Sequence, residues 1–140
     1  MPVTSARFEV EVDASAPGTA DAVSRCERFL EQQSVQVQAR MRLALVLEEV
    51  LMNVVMHGHA CPAGHRTLVW VQVHADGIEL NVLDDGQAFD PRSAPPPARL
   101  ESVDEARAGG LGVPFIRRFS RSLAYQTSEG CNRLTAWLEL

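Results

Sequence analysis

Residues 47–58, LEEVLMNVVMHG, read as a core helix except for Glu48, Glu49, Asn53 and His57. Residues four apart share a helix face. Glu49, Asn53 and His57 therefore form a row of carboxylate, amide and imidazole, with Glu48 about 100° round from it. The row is either a solvated stripe or the floor of a site. An interior asparagine, a poor helix former, weighs against the stripe without excluding it. His57 reads as a cap or packing group at the helix end, and Glu48 as a supporting or solvated carboxylate.

A second stretch, NVLDDGQAFDP, places Asp84 at a strand end with Gly86 two residues on. A plain turn accounts for it. So does base recognition: a buried carboxylate accepts from the exocyclic amine of adenine and repels the carbonyl of guanine, while glycine lets the backbone approach the ring. A third stretch, AGGLGVPF, carries Gly109, Gly110 and Gly112 into a helix start. It reads as a hinge or as a phosphate cradle of backbone amides.

The elements around these residues follow from periodicity. ARFEVEVDA alternates as a half-buried strand. SAPGT reads as a turn, with Thr19 as cap of an amphipathic helix through TADAVSRCERFLEQQSV. A longer helix runs from Ser34 or Val37 to His57, its stripe formed by Leu43, Val46, Leu47, Val50, Leu51 and Val54, with Gly58 beyond its end. HACPAGH is a loop. Two strands follow, turning at Asp76-Gly77. Residues 88–110 hold four prolines between 91 and 97 and no clear period, and read as a mobile lid with a short helix at 100–107. A helix after Gly112, with Pro114 in its first turn, precedes two strands turning at Ser128 to Cys131. Trp70, Phe115 and Trp137 read as core. Arg117, Arg118 and Arg121 read as a solvated helix face or a partner-binding patch. The order β, α, α, β, β, lid, α, β, β predicts one α+β domain over 1–140. Its architecture is a two-layer α/β sandwich with a mixed, mostly antiparallel sheet and the helices on one face.

Composition narrows the chemistry. The 140 residues, 46% apolar, suffice for a core without staples. A net charge of −5 argues against nucleic-acid and anionic-membrane binding. All 13 basic residues are arginine. Phosphate chemistry here must therefore use backbone amides, arginine or a metal ion, not a P-loop or kinase lysine. Three cysteines without a CxxC motif fit a reducing cytoplasm better than a disulfide framework or zinc site. Neither a signal peptide nor a run of membrane-spanning length is expected.

In this order and spacing the three stretches resemble the GHKL (Bergerat-fold) ATPase superfamily, most nearly its stand-alone anti-sigma-factor serine/threonine kinases. ALVLEEVLMNVVMHG resembles the N box, VLDDGQAFDP and GGLGVPFI the two glycine boxes, and GCNRLTAWLEL the closing strand. The resemblance implies ATP and Mg²⁺ as cofactors. Asn53 would hold the metal, Glu49 would orient or deprotonate a serine or threonine hydroxyl, and Asp84 with Gly86 would read adenine. Thr135 would help hold the base. Gly110 and Gly112 would let the lid fold over the phosphates, and Arg107 would touch the γ-phosphate. It further implies an anti-anti-sigma partner, a sigma factor, and a homodimer. Two departures stand out: Ala88 where a second glycine is common, and a lid stiffened by Pro95, Pro96 and Pro97. An ATP-gated adaptor without phosphotransfer, and a histidine-kinase catalytic domain acting in trans, stay open. Glu49 favours the enzyme, because binding alone needs no base.

Overall fold

The computed structural model describes residues 5–57, 67–86, 88, 90, 92 and 112–140. Strand β1 (Ala6–Val12) is followed by helices α1 (Ala16–Gln32) and α2 (Val37–His57), then strands β2 (Thr67–His74) and β3 (Gly77–Asp84). Helix α3 (Gly112–Phe119) and strands β4 (Ser122–Ser128) and β5 (Cys131–Leu138) complete the order. Gly58, the 59–65 loop and most of the expected lid, including its proline run and the helix at 100–107, lie outside the described residues.

Helix α1 starts earlier than its sequence suggests. Ser15, not Thr19, is the cap, accepting from the Gly18 amide at 3.0 Å. SAPGT is therefore the first helical turn, with Pro17 where a missing amide hydrogen is harmless. Thr19 is buried and donates its hydroxyl hydrogen to the Ser15 carbonyl at 2.8 Å. Glycine at 18 is required by proximity, since a Cβ there would lie 2.1 Å from the Asp13 carbonyl oxygen.

The five strands stand in the order β1-β2-β3-β5-β4. All four pairings are antiparallel, so the expected mixed component is missing among the described strands. The reason is topological. Strands β3 and β4 run the same way, but β5 folds back between them and pairs with both. Its hairpin with β4 turns on Glu129 (φ 52°) and Gly130 (φ 79°), the two left-handed residues of a tight two-residue turn. The β2–β3 turn is Ala75-Asp76, one residue earlier than expected, with Gly77 already paired to His74.

Opposite residues in an antiparallel sheet share a face. One face carries the row Val10–Val69–Val82–Leu134 and the row Val71–Leu80–Ala136, flanked by Ile78 and Leu138. It packs on the buried stripes of α1 and α2 and on Ile116 of α3, forming the core. Leu43, Val46 and Leu47 of α2 are fully buried in it. No helix among the described residues lies on the opposite face. Asn81 is buried there, its carbonyl accepting from the Thr135 hydroxyl (2.8 Å) and Arg133 Nη2 (3.1 Å), its amide donating to Glu79 (2.7 Å). Arg7 and Arg133 each hold a guanidinium carbon 5.2 Å from the Trp70 ring centroid. Trp70 is buried, as expected of a core residue, but it and Trp137 lie on this second face, outside the cluster that packs under the helices. Phe115 lies outside the residues whose side chains are described. Among the described residues no helix is long and apolar enough to cross a membrane.

Candidate functional site

The direction of α2 decides what can meet. Residues 33–36, just before it, line a cavity with Val73 and Leu140, at the end of β2 and beyond the end of β5. Arg42 lines another with Arg121 and Glu139. The start of α2 therefore sits at one end of the sandwich. Asn53, eleven residues past Arg42, lies about 16 Å further along the axis. The sheet spans a similar length from Leu138 back to Asn132, about 20 Å. The C-terminal half of α2 thus reaches the end where β2 begins and β3 finishes, at Thr67 and Asp84.

On α2 the first two members of the expected row differ in burial. Asn53 is only 7% exposed, while Glu49, one turn before it, is half-buried. Burial, and then the neighbouring Glu48 carboxylate, push the Glu49 carboxyl above its ordinary range. A carboxylate so tuned is a stronger proton acceptor at neutral pH than a solvated one. The His57 side chain lies outside the described residues.

At the sheet end, Asp84 is clamped. Its Oδ1 accepts from the Gly86 amide at 2.9 Å and from Asn132 Nδ2 at 3.1 Å. Asn132 Nδ2 also donates to the Gly86 carbonyl at 2.8 Å. Asp84, Gly86 and Asn132 form a closed triangle that fixes the carboxylate. Asn132 is 4% exposed and directly opposite Asp84 in the β3–β5 register. The sequence reading missed it, although its place two residues after Gly130 in the closing hairpin was a usable signal.

The same register moves Thr135 away. Thr135 pairs with Asn81, three residues before Asp84, and an odd separation puts it on the opposite face. Its hydroxyl is bound to Asn81 there. It belongs to the network under Trp70, and Asn132 stands where the base-holding side chain was expected. Gly112 is the first residue of α3, whose last residue, Phe119, lines the Arg42 cavity and whose length packs along α2. Gly110 and Arg107 lie outside the described residues.

Beyond Gly86, Arg92 holds Asp90 by paired contacts (Nε to Oδ1 3.0 Å, Nη2 to Oδ2 2.8 Å) and donates to the Tyr125 carbonyl at 3.3 Å. The Arg92 guanidinium holds the Asp90 carboxyl below the usual carboxylate range. Arg117 donates to the Arg92 carbonyl. The first part of the expected lid is thereby tied to β4 and α3. Arg117 serves this tie, while Arg118 and Arg121 line a separate cavity with Arg42 at the far end.

The donor set also bears on a metal. No group of three or more His, Cys, Asp or Glu that could hold an ion occurs among the described residues. One buried amide at Asn53 fits Mg²⁺ carried by a polyphosphate, an ion that takes one or two protein ligands and completes its shell with phosphate oxygens and water.

Comparison with known proteins gives the family of the chain. Residues 8–137 match the family model described as a histidine kinase-like ATPase domain. The chain is 30% identical over 128 residues to the serine/threonine-protein kinase BtrW of Bordetella bronchiseptica, covering 90% of this chain and 89% of that protein. Among solved structures it is similar to the RsbU and RsbW domains of Rv1364c from Mycobacterium tuberculosis, at TM-score 0.69 and 14% identity. That match covers 96% of this chain but only 32% of that one. It is also similar to the SiaB–SiaC complex from Pseudomonas aeruginosa, at TM-score 0.62 and 12% identity, covering 95% of this chain and 89% of that one. At these identities the two structures speak for the fold. By the family match over nearly its whole length and the kinase relative at 30% identity, the chain belongs to the histidine kinase-like ATPase domain family.

Proposed function

We propose that this protein is an Mg-ATP-dependent serine/threonine protein kinase of the anti-sigma-factor type, acting on a small antagonist protein in a partner-switching pathway. The observation that carries the reading is the pairing on α2 of a buried amide with a carboxylate of raised pKa one turn away, at the same end of the sandwich as a clamped aspartate. The kinase relative at 30% identity supports it.

In this reading Asp84 accepts a hydrogen bond from the exocyclic amine of adenine, and Asn132 and Gly86 hold the carboxylate to that task. The amide oxygen of Asn53 holds the metal. Magnesium, when bound with ATP, screens the phosphate charge and stands in for the missing lysine. Glu49 orients the acceptor hydroxyl and takes its proton as the hydroxyl oxygen bonds to the γ-phosphorus and the bond to ADP breaks. Gly110 and Gly112 let the segment before α3 close on the phosphates, with Arg107 toward the γ-phosphate. The protein partners are an anti-anti-sigma protein and a sigma factor, the assembly is a homodimer, and the compartment is the cytoplasm.

The test is incubation with radiolabelled ATP and candidate antagonist proteins. Transfer to a serine or threonine is expected from the wild type and is expected to vanish in Glu49→Ala while ATP binding largely persists. ATP binding without transfer to any candidate would favour an adaptor. Undiminished transfer by the variant would remove Glu49 as the base.

A further inference from the structure

On the helix-facing side of the sheet the interior rows are aliphatic. The row at the site end is not: it reads Val12–Thr67–Asp84–Asn132–Thr127. Three polar side chains, one from each of β2, β3 and β5, stand side by side beneath the region that α2 delivers Asn53 to. Two of the three are bonded to each other. The third is not. Thr67 is 1% exposed, and its hydroxyl has no hydrogen-bond partner.

A buried hydroxyl without a partner is destabilising, and native proteins seldom keep one without a use. Valine has nearly the same shape, serves at neighbouring positions 69 and 71 of the same strand, and would remove the penalty. Thr67 lies directly across from Asp84, at the spacing of adjacent strands, roughly 5 Å.

We propose that the Thr67 hydroxyl is a base-binding group, and that it finds its missing partner in the adenine of bound ATP. An adenine whose exocyclic amine is held by Asp84 presents, beside that amine, a ring nitrogen with a lone pair and no hydrogen. A hydroxyl next to Asp84 donates to that nitrogen. Guanine has an N–H there and a carbonyl where adenine has the amine. Asp84 and Thr67 together thus read two adjacent atoms of one edge, and Thr67 sharpens the choice of adenine that Asp84 makes. The inference rests on the ATP-binding reading above and adds to it a residue that the motifs do not contain.

The test is calorimetric titration of wild type, Thr67→Val and Thr67→Ser with ATP and with 1-deaza-ATP, which lacks that nitrogen, alongside thermal melts without nucleotide. Thr67→Val is expected to lose roughly three- to tenfold in ATP affinity, the size of one neutral hydrogen bond. Its melting temperature without ligand should be equal to or above the wild type's, because the unpaired hydroxyl is gone. Thr67→Ser should keep most of the affinity. Wild type and Thr67→Val should bind 1-deaza-ATP alike. Equal ATP affinity of Thr67→Val and wild type, or an equal loss on both nucleotides, would overturn the role of Thr67 and leave the ATP site standing. A wild type that binds no ATP would overturn both.

Discussion

The clamp on Asp84 makes Asp84→Asn the sharpest perturbation of the site. Two donors among the described residues converge on one carboxylate oxygen, the Gly86 amide at 2.9 Å and Asn132 Nδ2 at 3.1 Å. An asparagine can offer its carbonyl oxygen to the same two donors, which fixes its orientation and turns its NH₂ to where the second carboxylate oxygen was. The fold should lose little, about 1 kcal/mol, as two charge-assisted bonds become neutral ones. Adenine binding should lose more. The exocyclic amine of the base would face a donor, forfeiting a charge-assisted bond and leaving two N–H groups opposed, about 2–3 kcal/mol. That is roughly a 30- to 150-fold rise in Kd for ATP. The same NH₂ suits the carbonyl of guanine, so the preference for ATP over GTP should fall by at least as much. Calorimetric titration with both nucleotides, and a thermal melt of each protein, read all three quantities. An ATP Kd within twofold of the wild type in a folded variant would refute base recognition by Asp84, and an unchanged ATP-to-GTP ratio would refute its orientation.

Three further expectations follow from other parts of the molecule. Glu49→Gln should abolish phosphotransfer, and the wild-type rate should fall with decreasing pH at a point above the ordinary glutamate range, because burial and Glu48 raise its pKa; a pH–rate profile with no break there would contradict the base role. The sign for stability is opposite: a carboxyl whose folded pKa is raised weakens the fold as pH climbs from the ordinary value through the raised one. Glu49→Gln should therefore be slightly more stable near neutrality and indistinguishable in acid, a small effect because Glu49 is half exposed to screening solvent. Leu47→Ala removes a fully buried side chain between α2 and the sheet and should cost about 2–5 kcal/mol, seen as a lower urea midpoint with an unchanged slope. Cys26, buried and with its thiol pushed up to about 12, should stay unmodified by iodoacetamide in the folded protein, whereas exposed Cys131 should react; peptide mass spectrometry distinguishes them, and prompt labelling of Cys26 would contradict its burial.

Helix α2 was legible because its information is local. The apolar stripe, the Glu49–Asn53 spacing and the end at His57 all follow from a 3.6-residue period that tertiary context does not alter. The same holds for Asp84 at the close of a β-branched strand with Gly86 behind it. The N-cap of α1 was misplaced for a local reason too: Ser15 and Thr19 are both plausible caps, and the close contact of Gly18 with Asp13 selects the earlier one.

The partner of Asp84 was a different kind of question. Which of Asn132 and Thr135 stands beside it depends on the register between β3 and β5, and a one-residue change in register exchanges the faces of every side chain in a strand. That register is set by two left-handed residues, Glu129 and Gly130, and by the insertion of β5 between β3 and β4, contacts spanning some fifty residues of chain. Thr67 was hidden in the same way. In the sequence it opens an alternating strand like any threonine, and only pairing across β2 and β3 puts its buried, unpaired hydroxyl beside Asp84. The sequence by itself determined which groups could do chemistry, because residue type and helical spacing are properties of a short segment. The tertiary structure decided which of them face one another, because face and register are properties of strands brought together from distant parts of the chain.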